Sequence, residues 1–213
     1  MKDIKQRIAN VKSTEQIIKA MDTIASTKFH KIRAQLEGVR HIHSDLKRQV
    51  EELGHHRDAG GNVYYAEREV RHSLYIVLTS DRGFAGAYNS NVLSKVLHHM
   101  NQGKNEKILV IGSKGYDYFE KRNKNILRCI RGLPDSQMYF NCEKLATWMT
   151  EQYLSGEADE LFVVYTQFEN VLSYTPKIQL LLPVQLGGET TSGNPDKKYE
   201  PDLETVIDHT VPL

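Results

Sequence analysis

The sequence predicts an α/β protein: one long N-terminal helix of coiled-coil type, then a mostly parallel, five-stranded sheet covered by helices. Three observations carry that reading. An apolar residue stands at every seventh position from residue 4 to residue 53 without a miss: Ile4, Val11, Ile18, Ala25, Ile32, Val39, Leu46, Leu53. Five short apolar runs follow, at 73–80, 107–111, 126–130, 161–166 and 177–182. Helical patterns separate the first four runs, and that alternation sets strands side by side in parallel.

Eight hits at period seven form one narrow stripe on a single helix, the seam geometry of a coiled coil. No proline interrupts it, and only Gly38 weakens it, by about 1 kcal/mol relative to alanine. At 1.5 Å per residue the helix would be about 80 Å long, whereas the rest of the chain, folded as one domain, would be about 40 Å across. A helix that overshoots its domain needs a partner for its stripe. The companion positions are Ile8, Glu15, Asp22, Phe29, Leu36, His43 and Val50, so the seam turns acidic at two successive positions. Ile17, Met21 and Ile24 add apolar surface there, rotated off the stripe. This reads as a shaft gripped by one partner helix along most of its length and touched by other proteins near its start. A helix lying partly on its own α/β domain is the alternative.

Residues 1–57 hold twelve Lys and Arg against seven Asp and Glu, a net of +5, while the whole chain is +1. A basic helix suits an acidic partner surface or nucleic acid, though no nucleic-acid reading module is recognisable. Gly54 to Gly61 marks a helix stop, which divides the chain into a shaft helix at 1–57, a linker at 58–72 and an α/β domain at 73–213.

Within that domain Ser73–Ser80 and Lys107–Ile111 are nearly continuous apolar runs, as in strands buried on both faces. Helices are expected from Tyr88 to Met100, after Gly112-Ser113-Lys114-Gly115, and over residues 136–155, with Leu145, Trp148, Met149 and Tyr153 on one face. The last two strands lack a helix between them and read as an antiparallel hairpin at one edge. Residues 187–198 read as a surface loop, and Asp202 as the cap of a final helix through Leu203, Val206 and Ile207.

No apolar run approaches the ~18–20 residues of a membrane span, and the N-terminus is neither a signal nor a transit peptide. Cys129 and Cys142 match no metal or redox spacing and read as reduced, buried thiols in a cytosolic environment. Nine histidines show no i, i+4 zinc spacing, so no metal site is expected.

Thr79-Ser80-Asp81-Arg82-Gly83-Phe84-Ala85-Gly86 sits where an α/β sheet places a ligand, at the carboxyl end of a strand. It is neither a phosphate loop nor a dinucleotide fingerprint. Asp81 and Arg82 could pair with each other or cap the following helix, and Ser113 reads as the N-cap in its own turn. The residues favour a scaffold or interaction protein. The competing class is a nucleotide- or phosphate-binding α/β enzyme with a helical arm.

Several motifs, in order, resemble the gamma subunit of F-type ATP synthase. The opening Met1-Lys2-Asp3-Ile4-Lys5-Gln6-Arg7-Ile8 is similar to that family's start, as is Val11-Lys12-Ser13-Thr14-Glu15-Gln16-Ile17-Ile18-Lys19-Ala20-Met21. Thr79-Ser80-Asp81-Arg82-Gly83, with Gly86 and Asn89, resembles the signature at the first strand of the family's Rossmann-like domain. Ile111-Gly112-Ser113-Lys114-Gly115, Pro176 with Gln179-Leu180-Leu181-Leu182-Pro183, and Tyr199-Glu200-Pro201-Asp202 keep the family's order and spacing.

The resemblance implies a non-catalytic central-stalk rotor without a cofactor, on the cytoplasmic face of a bacterial inner membrane. In such a rotor the N-terminal helix winds with a long C-terminal helix inside the alpha–beta ring, and the α/β foot binds epsilon and the membrane c-ring. Proton flow turns the c-ring and shaft, and ATP chemistry stays in beta. The resemblance assigns Lys19 and Met21 to contacts with beta, and Tyr199 and Glu200 to the c-ring. The chain stops at Val211-Pro212-Leu213, where the family's C-terminal helix should begin, so the unpartnered seam is expected to self-associate in the isolated chain.

Overall fold

The computed structural model describes residues 2–100, 104–134, 138–170, 173–186 and 197–212. Most of the expected loop at 187–198, and the expected helix start at 136–137, lie outside the described residues. The chain divides into two compact units, Met1–Arg48 and Gln49–Leu213.

The described residues of the first unit are all helical, being most of α1 (Lys2–Gly54). The Thr14, Thr23 and Thr27 hydroxyls, which could disturb a helix, donate back to the carbonyls four residues earlier, at 2.9, 3.0 and 2.9 Å. Glu15–Lys19 at 3.1 Å and Arg33–Glu37 at 3.2 Å add ion pairs along exposed faces, each worth about 0.2–0.5 kcal/mol. The stripe stands open: Val11 is 67 % exposed and Ile32 50 %, with Ile4, Ile18 and Val39 similar. Leu46 is half-buried. Ile17, Met21 and Ile24 are exposed as well.

Leu53 departs from the expected seam. It is 3 % exposed and belongs to the core of the second unit, where it packs with Tyr65 and Tyr153. The helix ends at Gly54, where only glycine fits, since a β-carbon there would overlap the Leu186 and Tyr65 side chains.

The expected linker at 58–72 is instead packed structure. A 3-10 turn at Ala59–Gly61 leads to Asn62, whose side chain accepts from the Tyr64 amide at 3.0 Å. Ala59, Tyr64 and Tyr65 are buried. Tyr65 donates to the Val50 carbonyl at 2.7 Å, and the Val63 carbonyl accepts from Tyr153 at 3.1 Å. Two aromatic rings bury too much apolar surface to be left in a free link.

The sheet runs in the order β3-β2-β1-β4-β5, with β1 (His72–Leu78), β2 (Asn105–Ile111), β3 (Ile126–Ile130), β4 (Glu160–Asn170) and β5 (Ser173–Leu182). The first four are parallel, and β5 is antiparallel to β4. Central β1 alternates its side chains between two cores, which is why its run is continuously apolar. Leu74 and Ile76 face Leu161, Tyr153 and Ile207, with α4 (Met138–Leu154) and α5 (Leu203–Thr210) on that side. Tyr75 and Val77 face Val92, Val96 and Phe119, on α2 (Tyr88–Met100) and α3 (Ser113–Glu120).

The hairpin is longer than expected. Pairing of β4 with β1 ends at Val164, and residues 165–170 pair with β5 alone. Its Thr, Gln and Asn residues hide strand character that cross-strand pairing supplies. Asp202 caps α5, accepting from the Thr205 amide at 2.8 Å. The cysteines are free, but Cys129 is half-buried and Cys142 exposed, against the expectation of buried thiols.

Candidate functional site

The loop after β1 is a clasp that the chain closes on itself. The first amides of α3 need acceptors, as at any helix start, and three successive residues of this loop supply them. Ser113 donates its amide to Asp81 Oδ1 at 2.9 Å, Lys114 to the Ser80 carbonyl at 3.1 Å, and Gly115 to Thr79 Oγ1 at 2.9 Å. Asp81 Oδ1 also accepts from the Ser113 hydroxyl at 2.9 Å, and Oδ2 from the Gly132 amide at 3.0 Å. One carboxylate thus ties together the loops after β1, β2 and β3. Partial burial would raise the Asp81 pKa, but the hydrogen bonds from Ser113 and Gly132, with the Arg131 charge, hold it below the ordinary value.

This geometry corrects three expectations. Gly112, at φ +100°, occupies the N-cap position, and Ser113 is the first helical residue. Asp81 caps α3, not the helix that follows it in sequence. Among the described residues Asp81 and Arg82 form no ion pair. The amides that a phosphate would need at Ser113, Lys114 and Gly115 already donate within the chain. Asn89 on α2 completes the clasp, accepting from the Ser80 amide at 3.0 Å and donating to the Ser80 hydroxyl at 2.8 Å. Beyond it Phe84 is fully exposed at φ 60°.

The residues assigned to partner contacts are far apart in character. Lys19 is engaged with Glu15, while Met21 is half-exposed beside Ile17 and Ile24. Residues two apart on a helix lie about 200° apart around its axis, so Lys19 and Met21 stand on different sides of α1. Tyr199 is half-buried against the core, edge-on to the His56 ring at 5.8 Å with Lys197 Nζ 5.5 Å from its centroid. Glu200 is exposed. Of the pair, only Glu200 has its side chain largely free of the fold.

Comparison with known proteins decides the family. The family model described as ATP synthase matches residues 1–213. The chain is 36 % identical over 220 residues to the ATP synthase gamma chain of Prosthecochloris aestuarii and 32 % over 218 to that of Alkaliphilus metalliredigens. It belongs to the ATP synthase gamma chain family. Both alignments take in 100 % of this chain and 75 % of the relative. A relative from Acetobacterium woodii named as the sodium-ion-specific gamma chain is 30 % identical over 234 residues, covering 100 % of this chain and 76 % of its own length. Membership in the family therefore does not name the coupling ion. In fold, the chain resembles a component of the central stalk and c-ring of the Tetrahymena thermophila mitochondrial ATP synthase, with TM-score 0.54 at 20 % identity over 79 % of this chain and 81 % of that one.

Thr79, Ser80, Asp81, Gly112, Gly115 and Asn89 are brought together, although the two loops lie more than twenty residues apart in sequence. Their role is architectural. The residue that sequence reasoning missed here is Gly132, which enters through its backbone and left only its identity as a sign.

Proposed function

We propose that this chain is the rotor subunit of an F-type ATP synthase, coupling rotation of a membrane c-ring to conformational change in catalytic beta subunits. The observation that carries the reading is the family match along all 213 residues. Physical features support it. α1 is an unbroken helix of 53 residues whose period-seven stripe is exposed from Ile4 to Val39, as a shaft awaiting a partner helix requires. Its second apolar face at Ile17, Met21 and Ile24 suits a surrounding ring of subunits, since one partner helix covers only one seam.

Met21 then contacts a beta subunit, with Lys19 addressing acidic groups on another surface of the ring. Tyr199 and Glu200 mark the foot, where Tyr199 holds the segment to the core and Glu200 meets polar loops of the c-ring. Epsilon binds the same α/β domain, and the chain does no ATP chemistry itself. It is peripheral, at the cytoplasmic face of a bacterial inner membrane; among the described residues no helix is long and apolar enough to cross a membrane.

Cysteines replacing Met21 and Glu200 test this in an assembled enzyme. The first should crosslink to beta and the second to c. Crosslinking of the Glu200→Cys variant to alpha or beta alone would reverse the orientation of the α/β domain and overturn the assignment of its foot.

A further inference from the structure

Strand β3 is an outer edge of the sheet, and among the described residues nothing pairs with it beyond β2. Around it, residues 121–131 hold five cations (Lys121, Arg122, Lys124, Arg128 and Arg131) and no carboxylate. Three of these are arginines set on aromatic rings. The Arg122 guanidinium lies 3.6 Å from the Tyr118 centroid, that of Arg131 3.9 Å from Tyr116, and that of Arg128 5.7 Å from Trp148. Such pairs occur about once in 70–80 residues, so three within ten residues are a local concentration. All three arginines are exposed, and among the described residues none lies within ion-pair distance of a carboxylate, although the Arg131 charge acts on Asp81 and Asp117, and Lys124 pairs with Glu106 at 3.9 Å. Arg122 donates to the Tyr118 carbonyl at 3.1 Å and Arg131 to Cys129 Sγ at 3.3 Å, each using one of five N–H groups.

The strand's register distributes these cations over both faces. Ile126 pairs with Ile108 and Arg128 with Leu109, so Leu127 is an extra, bulged residue, and it is exposed. Ile126 accordingly packs with the α2 and α3 side of the sheet, and Ile130 with the α4 side. Arg128 stands by Trp148 of α4, while Arg122 and Arg131 stand by Tyr118 and Tyr116 of α3. The open edge is thus framed by guanidinium groups on both faces.

A charged edge keeps copies of a sheet from pairing with one another, and mobile lysines would suffice for that. Arginines held on rings have already lost side-chain freedom and present a planar fork matched to carboxylates. We propose that the β3 edge is a docking site for an extended acidic segment of a partner polypeptide, which adds to the sheet as a sixth strand. Successive side chains of an added strand point to opposite faces, delivering carboxylates to Arg128 on one face and to Arg122 and Arg131 on the other. The proposal stands independently of the rotor reading.

A fluorescently labelled peptide of sequence EVEEVE, titrated into the whole chain, is the probe. Saturable binding is expected, and reversal of Arg122, Arg128 and Arg131 to Glu should weaken it roughly tenfold or more. The corresponding triple Lys variant keeps charge and fold but loses the fork, and it should bind several-fold more weakly than the parent. Hydrogen exchange should show new protection at amides of residues 126–130 when peptide is bound. Three results would overturn the proposal: no saturable binding, equal affinity for the parent and both variants, or binding without added amide protection. Retention on phosphatidylglycerol vesicles with no affinity for the peptide would equally reject it, in favour of a lipid surface.

Discussion

Asp81 Oδ1 accepts both the amide and the hydroxyl of Ser113, each at 2.9 Å, across thirty-two positions of sequence. The contact makes the end of β1 the cap of a helix that begins one strand later. A segment that looks like a ligand loop is thereby explained as a brace, which ties the loops after β1, β2 and β3 together.

Replacing Asp81 with Ala should lower unfolding free energy by about 0.5–2 kcal/mol, the usual range for a lost N-cap, as read by urea denaturation. The pH dependence has a defined sign. The folded pKa lies below the unfolded carboxylate value, so the contribution is present above about pH 4 and disappears as pH falls through the folded value. The parent and the Ala variant should therefore converge in stability at acid pH. A constant difference down to the lowest pH would mean that the carboxylate charge is irrelevant.

Gly112→Ala should be more damaging than its size suggests. The residue sits at φ +100°, and a β-carbon would run into the Thr79 carbonyl. Backbone strain alone costs about 1–3 kcal/mol, and overlap with main chain adds to it. Thermal melting of the variant checks this, and a melting temperature equal to the parent's would show that the loop adjusts freely.

Because the amides of Ser113, Lys114 and Gly115 donate to Asp81, Ser80 and Thr79, calorimetry with ATP, ADP, NAD or zinc should show no saturable heat. Micromolar binding of any of these, lost in an Asp81→Ala or Arg82→Ala variant, would restore the competing reading of a nucleotide enzyme.

Tyr65→Phe removes the hydroxyl that donates to the Val50 carbonyl at 2.7 Å and should cost about 0.5–1.5 kcal/mol. Leu53→Ala, emptying a core position, should cost about 2–5 kcal/mol. Both losses should appear in the single cooperative transition of the α/β unit. Neutral effects would return residues 58–72 to the status of a link.

Sequence and structure agree where local pattern decides the outcome. The unbroken stripe of α1 and the buried run of β1 are legible because period seven and continuous apolarity each have one structural meaning. The partners of Asp81 are not legible, since its acceptor role depends on two loops distant in sequence. Tyr64 and Tyr65 lie among glycines and charges, and only tertiary packing turns that stretch into core. Leu53 keeps the seam's period yet serves the α/β core, because periodicity specifies a face and not what covers it. The distal half of β4 is polar, and its strand state comes from β5.

The most direct measurement is rotation itself. An alpha–beta ring reconstituted with this chain joined at its C-terminus to the long C-terminal helix of a related gamma chain, fixed to a surface and carrying a bead on a Glu200→Cys variant, should show the bead turning in one direction when ATP is supplied. A bead that stays still while the assembled complex hydrolyses ATP would contradict the rotor account.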